Sequence, residues 1–461
     1  MKPIYYCLLV IVLCLSSCEK YLEKKTDDSL TIPNSLNDFQ GILEMDNMFQ
    51  DVYPFLPDEG CDDYFVESSY FLSLSPLDRA CYTWESDIYK GQGIADWSRV
   101  YSTIYRANIV LEGLQKNEPA NTGDVQLWNN IYGRALFIRA FGFLTLEEGW
   151  GQPYKLSSNA TDLGIPIKLT TNLTEKTVRA TVKQVFDQVL NDVKLCAKLL
   201  PYSTLNKNFP TKASAFALAA RTYLIMQDYV QAGKSADSSL KINNALVDYN
   251  TISASSNTPF TVTALDFPEL LYSSSLTGSL LFRTSNSNIR IDTSLYNSYS
   301  TNDLRKTHFF RLNASTNSYF FKGKYTLGGF SNGPAIDEMY LVRAECNARG
   351  GNTAAAMKDL NDLLKTRWRK NTNGTTTYVD QVAASPADAL NRIITERRKE
   401  LVFRGLRWMD LRRLNQDPQF AITLKRILSG VTYTLAPNDP KYALPIPPDE
   451  MVLSSMLQNP R

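Results

Sequence analysis

The sequence predicts a mainly α-helical fold of stacked antiparallel hairpins, interrupted by one irregular, partly β insertion. Three observations predict it. Apolar residues recur at three- and four-residue steps in separate segments between Trp97 and Leu414. One of these segments is rich in alanine (Ala213, Ala215, Ala217, Ala219, Ala220), as helices in close contact require. Between 242 and 333 the periodicity stops, and Ser, Thr and Asn dominate around scattered aromatics. The chain of 461 residues is long enough for two to four domains or one large one, and it needs no staples to bury a core.

The N-terminus, MKPIYYCLLVIVLCLSSC, sets the compartment. Lys2 gives a positive start, and Tyr5 to Leu15 is an apolar run too short to span a bilayer but suited to a secretory signal. Leu15-Ser16-Ser17-Cys18 then resembles a bacterial lipobox, in which the cysteine is acylated and becomes the first mature residue. Residues 1–17 therefore read as a lipoprotein signal peptide and Cys18 as the lipidation site. Residues 18–35 read as a polar acylated tether, and the body covers 36–461. Of the seven cysteines, Cys7 and Cys14 leave with the signal. Cys61 and Cys81 lie in one aromatic region and either pair or stay free, while Cys196 and Cys346 sit in helical patterns as buried thiols.

Within the body, 36–49 contains a short helix, and the rest of the N-terminal region 36–95 is irregular and dense in rings. The stripe Trp97, Tyr101, Ile104, Asn108, Leu111, Leu114 predicts a helix over 97–114. A second over 124–148 stops at Gly149-Trp150-Gly151-Gln152-Pro153, and a third over 180–200 stops at Pro201. Helices follow at 212–226 and 228–241, completing the repeats of 96–241. After the variable insertion 242–333, with short strands at 279–283 and 319–325, helices resume over 334–404 at 335–348, 353–368 and 386–403. The last has Ser385 as N-cap and Pro386 in its first turn. The C-terminal segment 405–461 begins with a helix near 407–414 and ends in an extended, proline-rich tail. Pairing 97–114 with 124–148, 180–200 with 212–226, 228–241 with 335–348 and 353–368 with 386–403 gives hairpins that stack as tetratricopeptide repeats do. Insertions interrupt the ~34-residue period of such repeats. An irregular helical domain is the competing arrangement.

Composition excludes several functions. Lys+Arg is 49 against 47 Asp+Glu, without the basic excess that nucleic-acid binding needs. A single histidine, His308, removes most zinc enzymes and His-based triads. Gly329-Phe330-Ser331-Asn332-Gly333 fits a GxSxG elbow, but the triad order there demands a histidine downstream, and His308 precedes the serine. The carboxylate pairs Asp62/Asp63, Glu147/Glu148 and Asp337/Glu338 read as loop or helix-end charges. No HExxH, P-loop or dinucleotide fingerprint occurs, so no catalytic residue, metal or cofactor is assigned. The run from Glu396 to Arg413 places arginines among acids and rings and reads as a structural network rather than an active site.

That run, ERRKELVFRGLRWMDLRRLN, resembles the C-terminal signature of the SusD/RagB family of surface lipoproteins. Other pieces follow in family order: Cys18 with Tyr21-Leu22-Glu23; Trp97 to Leu114; Arg134 to Phe143 with Gly149-Trp150-Gly151 and Pro153; Gly164-Ile165-Pro166; Thr181-Val182; Lys212 to Tyr229; Leu341 to Asn361; and Tyr442 to Pro447 with Glu450 and Gln458-Asn459-Pro460. The family's closing aromatic is missing after Asn459-Pro460, and the chain is on the short side. The resemblance implies a SusD-like fold and a non-catalytic binder on the outer face of the outer membrane. Such a protein captures glycans and delivers them to a SusC-type TonB-dependent barrel. A peptide-binding, RagB-like subunit is the alternative, and an interaction scaffold or an exported hydrolase would be a different class. Sugars bind by stacking on rings beside polar groups, so Tyr82, Trp84, Tyr89, Tyr296 and Tyr299 are the candidate platform. Asp87, Asn297 and Arg305 are the candidate polar partners.

Overall fold

The computed structural model describes residues 33–461 apart from 51, 120, 261–266, 277–285 and 326–328. The signal peptide, Cys18, the tether up to residue 32 and the strand expected at 279–283 lie outside the described residues.

The described residues before Ala95 form short elements: α1 (Leu36–Leu43), α2 (Leu56–Glu59), β1 (Tyr64–Phe65), α3 (Ser68–Ser73) and α4 (Pro76–Tyr82). The repeat helices follow as α5 (Ala95–Lys116), α6 (Thr122–Trp150), α7 (Val182–Leu199), α8 (Lys212–Ile225) and α9 (Tyr229–Ile242). Side-chain caps set most of their starts. Asn121 accepts the Asp124 N–H, and Thr181 with Gln184 forms a reciprocal capping box. On α7 the buried residues Val185, Phe186, Val189, Val193 and Cys196 make one stripe. From Gly133 to Trp150 α6 is buried almost all round, because α5 and α7 both pack on it. A Cβ at Gly142 would lie 2.9 Å from Ile104, so α5 and α6 approach closely only with glycine there.

The insertion contributes β2 (Arg290–Ile291), α10 (Thr293–Asn297), α11 (Arg305–His308), β3 (Phe310–Asn313) and β4 (Ser318–Phe321). Helices resume as α12 (Ile336–Arg349), α13 (Thr353–Arg367), α14 (Pro386–Glu400) and α15 (Arg407–Leu414). Ser385 caps α14 by accepting the Asp388 N–H. Each expected helix pair is in contact, but α14 lies chiefly along α12 and touches α13 less.

Two features depart from expectation. The hairpin β5 (Leu424–Leu428) with β6 (Val431–Leu435) turns through Ser429 and Gly430, both at positive φ. Helix α16 (Pro448–Ser454) also interrupts the tail that proline content suggested was extended. Proline in its first turn starts a helix rather than breaking one. All four described cysteines are buried and free, so Cys61 and Cys81 do not pair.

Guanidinium–carboxylate pairs run through the core. Arg367 donates to Glu269 and Glu400, both at 2.7 Å, and Arg305 to Asp303, Glu396 and Glu400. Arg397 and Arg413 share Asp410, and Arg413 also grips Glu345 with two bonds. Arg367→Ala would strand two buried carboxylates, so we expect a loss of about 3–5 kcal/mol in urea unfolding. Lys183→Ala, which breaks an exposed pair with Asp187, is expected to cost less than about 1 kcal/mol. Equal costs would contradict a dominant internal network.

Glu147 is buried with no ion pair among the described residues, and Ile165 donates to it at 2.9 Å. Burial pushes its carboxyl up to about 8 from an ordinary 4.5. The folded state therefore holds the proton more tightly than the unfolded chain. The associated stability is fully present below about pH 4.5 and is lost as pH rises through 8, at most about 1.4 kcal/mol per pH unit. We expect Glu147→Gln to remove that slope from the stability of the folded chain between pH 5 and 9. An unchanged slope would place the titration elsewhere.

Candidate functional site

The site begins with a two-residue ladder. β1 pairs with β2, Tyr64 opposite Ile291 and Phe65 opposite Arg290, and Asp292 N–H donates to the Asp63 carbonyl at 2.9 Å. Alternation sends Tyr64 into the core and leaves Phe65 half-buried at the surface. The Arg290 guanidinium lies 6.0 Å from the Phe65 ring and pairs with Glu67. Helix α3, which buries none of its residues fully, adds Tyr70 and Phe71, both half-buried. The Tyr70 hydroxyl accepts a hydrogen bond from Asn286.

Beside this ladder, α10 is capped by Asp292, which accepts the Leu295 N–H. The helix presents Tyr296 half-buried and Asn297 exposed. The β3–β4 hairpin then places Tyr319 against Tyr296, ring centroids 3.7 Å apart and 16° from parallel. Lys306 Nζ, donating to the Tyr299 carbonyl at 2.9 Å, lies 4.8 Å over the Tyr296 ring. Tyr319 fills one face of that ring, so Lys306 takes the other. The Tyr296 ring is therefore engaged by both Tyr319 and Lys306, and Tyr319 itself is half-buried. Burial and the adjoining Tyr319 hydroxyl push the Tyr296 phenol up, keeping it a neutral hydrogen-bonding group.

Most of the residues expected to form the platform lie beneath this surface instead. Tyr82 is 1% exposed; its hydroxyl accepts the Val66 N–H, and the Arg426 guanidinium covers its ring at 3.4 Å. Trp84 is 3% exposed and donates from its indole to the Gly60 carbonyl at 3.0 Å. The cause is the turn that ends α4. Glu85 N–H bonds back to Ala80 O and Trp84 N–H to Cys81 O, with Trp84 itself left-handed at φ 55°. Glycine usually takes that place, and a tryptophan there is held by its buried indole. Tyr89 donates to the Pro445 carbonyl and accepts from Trp150, so it and the exposed Asp87 lie toward the C-terminal segment. Tyr299 donates to the Lys399 carbonyl, and Arg305 is wholly enclosed by carboxylates.

The expected set is therefore corrected. Tyr296 and Asn297 stand at the surface, Tyr82, Trp84, Tyr89, Tyr299 and Arg305 belong to the core, and Asp87 lies apart. Sequence reasoning missed Phe65, Tyr70, Phe71, Arg290, Lys306 and Tyr319 as a group. Ring density marked their two segments, but the β1–β2 register that joins those segments carries no local signal.

Carboxylate oxygens of Glu269, Asp337 and Glu400 lie within 4.8 Å of one another, close enough to hold a cation. Arginine supplies that charge here. Arg367 bridges Glu269 and Glu400, and Arg404 reaches Asp337 at 3.3 Å, with the Tyr325 hydroxyl donating to the same oxygen. Burial raises Glu269 to about 7 despite Arg367, so the cluster takes up a proton, and loses negative charge, near neutrality. Ser331 of the GxSxG match is buried, and both His308 nitrogens face the backbone carbonyls of Leu304 and Ile252.

Two family models match the chain, one described as starch-binding associating with outer membrane over residues 20–224, the other as SusD family over 336–461. Among solved structures, a SusD superfamily protein from Bacteroides vulgatus is 22% identical, with 93% of this chain and 99% of that one covered at a TM-score of 0.73. One from Bacteroides thetaiotaomicron is also 22% identical, covering 93% and 100% at 0.72. A SusD-like carbohydrate binding protein from Bacteroides vulgatus is 20% identical, covering 92% and 97% at 0.69. No curated protein matches. Among the described residues, no helix is long and apolar enough to cross a membrane.

Because Trp84 is core and Tyr319 is half-buried, the two rings should respond differently to truncation. We expect Trp84→Ala to cost about 3–5 kcal/mol in denaturant unfolding. Tyr319→Ala should stay within about 1.5 kcal/mol, the worth of one ring pair. A stable Trp84→Ala protein would refute the burial described above.

Proposed function

The chain belongs to the SusD/RagB family, and from that premise we propose that it is a non-catalytic glycan-binding lipoprotein of the cell surface. In this reading, Cys18 carries the lipid and the body stands on the outer face of the outer membrane. It captures oligo- or polysaccharide and hands it to a SusC-type TonB-dependent barrel. The family matched over residues 20–224, starch-binding and associating with the outer membrane, supports both the ligand class and the place. The lipobox-like Leu15-Ser16-Ser17-Cys18 supports the anchor.

The observation that carries the ligand class is the aromatic surface. Sugars offer C–H faces that stack on rings and hydroxyls that bond to amides and cations, and they need neither a metal nor a base. Tyr319 supplies a ring face backed by Tyr296 and Lys306. Phe65, Tyr70 and Phe71 extend the apolar area, and Asn297 and Arg290 offer donors. Peptide ligands would call for backbone-pairing edges, and the short β1–β2 ladder has little edge to give.

The test is calorimetry on the chain from Glu19 onward against neutral oligosaccharides of glucose, xylose and mannose and against a panel of short peptides. We expect saturable glycan binding that weakens roughly fivefold or more in Tyr319→Ala, about 1 kcal/mol for a lost stacking contact. Binding of peptides alone would replace the glycan reading. Glycan binding indifferent to Tyr319 would move the site elsewhere.

A further inference from the structure

Away from the aromatic surface, α5 carries Trp97, Tyr101 and Tyr105 four residues apart, so the three rings share one helix face. They grade from core to solvent. Trp97 is buried, Tyr101 is half-buried with its ring 4.9 Å from Trp97, and Tyr105 is 36% exposed. A strap of residues 166–177 crosses this face without covering it. It is pinned along its length: Tyr101 donates to the Pro166 carbonyl at 2.8 Å, and Asn108 to the Lys168 carbonyl at 2.9 Å. The Glu112 carboxylate accepts both the backbone and hydroxyl protons of Thr171. Helix α16 closes a third side with Glu450 and Leu453.

These three walls bound an open groove of about 510 Å³, within the size range of small-ligand sites. Its floor is aromatic, and its walls mix apolar side chains, Leu173 and Leu453 among them, with polar residues. The polar residues Ser98, Ser102, Thr177, Asn172 and Lys168 all border the space. Glu450 also borders the groove, and burial raises its carboxyl above the ordinary range. A purely apolar occupant would leave the polar share of this lining unanswered. A hydroxylated ligand satisfies it while its C–H faces meet Tyr101 and Tyr105. The pinned strap means that little ordering is left to be done on binding.

We infer that the groove between α5, the 166–177 strap and α16 is a second binding site, for a short neutral oligosaccharide. The inference rests on the reading of the chain as a glycan binder, and it adds a concave site to the exposed aromatic surface. Two sites on one chain hold a long polymer far better than either alone, because the second contact is intramolecular.

The experiment titrates the chain from Glu19 onward with neutral trisaccharides of glucose, xylose and mannose, reading stoichiometry. Ser102 is exposed on α5, so Ser102→Trp fills the groove without disturbing the core, and an unchanged melting temperature verifies this. Tyr105→Ala, also at an exposed position, removes floor instead of adding bulk. We expect two sites in the parent chain, one in Ser102→Trp, one in Tyr319→Ala and none in the double variant. Tyr105→Ala should weaken only the site that survives in Tyr319→Ala. A single site abolished by Tyr319→Ala and untouched by Ser102→Trp overturns the groove and leaves the proposed function standing. Two sites that both survive Ser102→Trp overturn the groove as well. Silence toward every trisaccharide overturns both readings together.

Discussion

The constraint on which the rest of this structure depends is the burial of guanidinium groups. Arg305 and Arg367 are fully enclosed, and a charge taken out of water is tolerable only when opposite charges meet it with good geometry. The carboxylates that do so come from distant stretches of chain: Glu269 from the insertion, Asp303 from just before α11, and Glu396 and Glu400 from α14. Further along, Arg221 of α8 grips Glu338 of α12, and Arg413 of α15 grips Glu345. A slip of any of these elements would strand a charge in the interior. The network thus acts on register more than on gross stability, which apolar residues of similar volume could also supply.

The same pairs set the geometry of the aromatic surface. Arg398 holds Asp63 at 2.9 Å and Arg407 grips Asp62 with two bonds, fixing the residues that lead into β1. The Asp63 carbonyl in turn receives the Asp292 N–H, which aligns β2 and starts α10. Arg305 and the Tyr299–Lys399 hydrogen bond fix the base of α10 and α11, from which Tyr296 and Lys306 project. Two ring-bearing segments far apart in sequence therefore meet over a charged foundation rather than over loops free to rearrange. Such support is what a ligand surface needs if binding is not to spend its energy on ordering side chains.

Much of this was legible beforehand, and particular residues show why some was not. The stripe on α7, the Ser385 cap of α14 and the alanines of α8 are local features, and each appears where the pattern put it. The arginines between Glu396 and Arg413 read as a structural network from their mixture with acids and rings, and they form one. Trp84 could not be read so. Its burial follows from a left-handed turn after α4 and from Arg426, which arrives above its ring from a hairpin more than three hundred residues later. Tyr296 came out at the surface, yet its open face was taken by Tyr319, a partner that nothing near it in the sequence announces.

By itself, then, the sequence determined the long repeat helices, the Ser385 cap and the break between two helical blocks. These depend on residue type and on spacings of three or four positions, which a helix converts directly into one face. The tertiary structure decided which rings are core and which are surface, which carboxylate answers which arginine, and that α5, a strap and α16 leave a groove between them. In segments without periodicity, exposure is a property of whatever packs on a side chain. Here those neighbours come from chain too distant for any local pattern to specify.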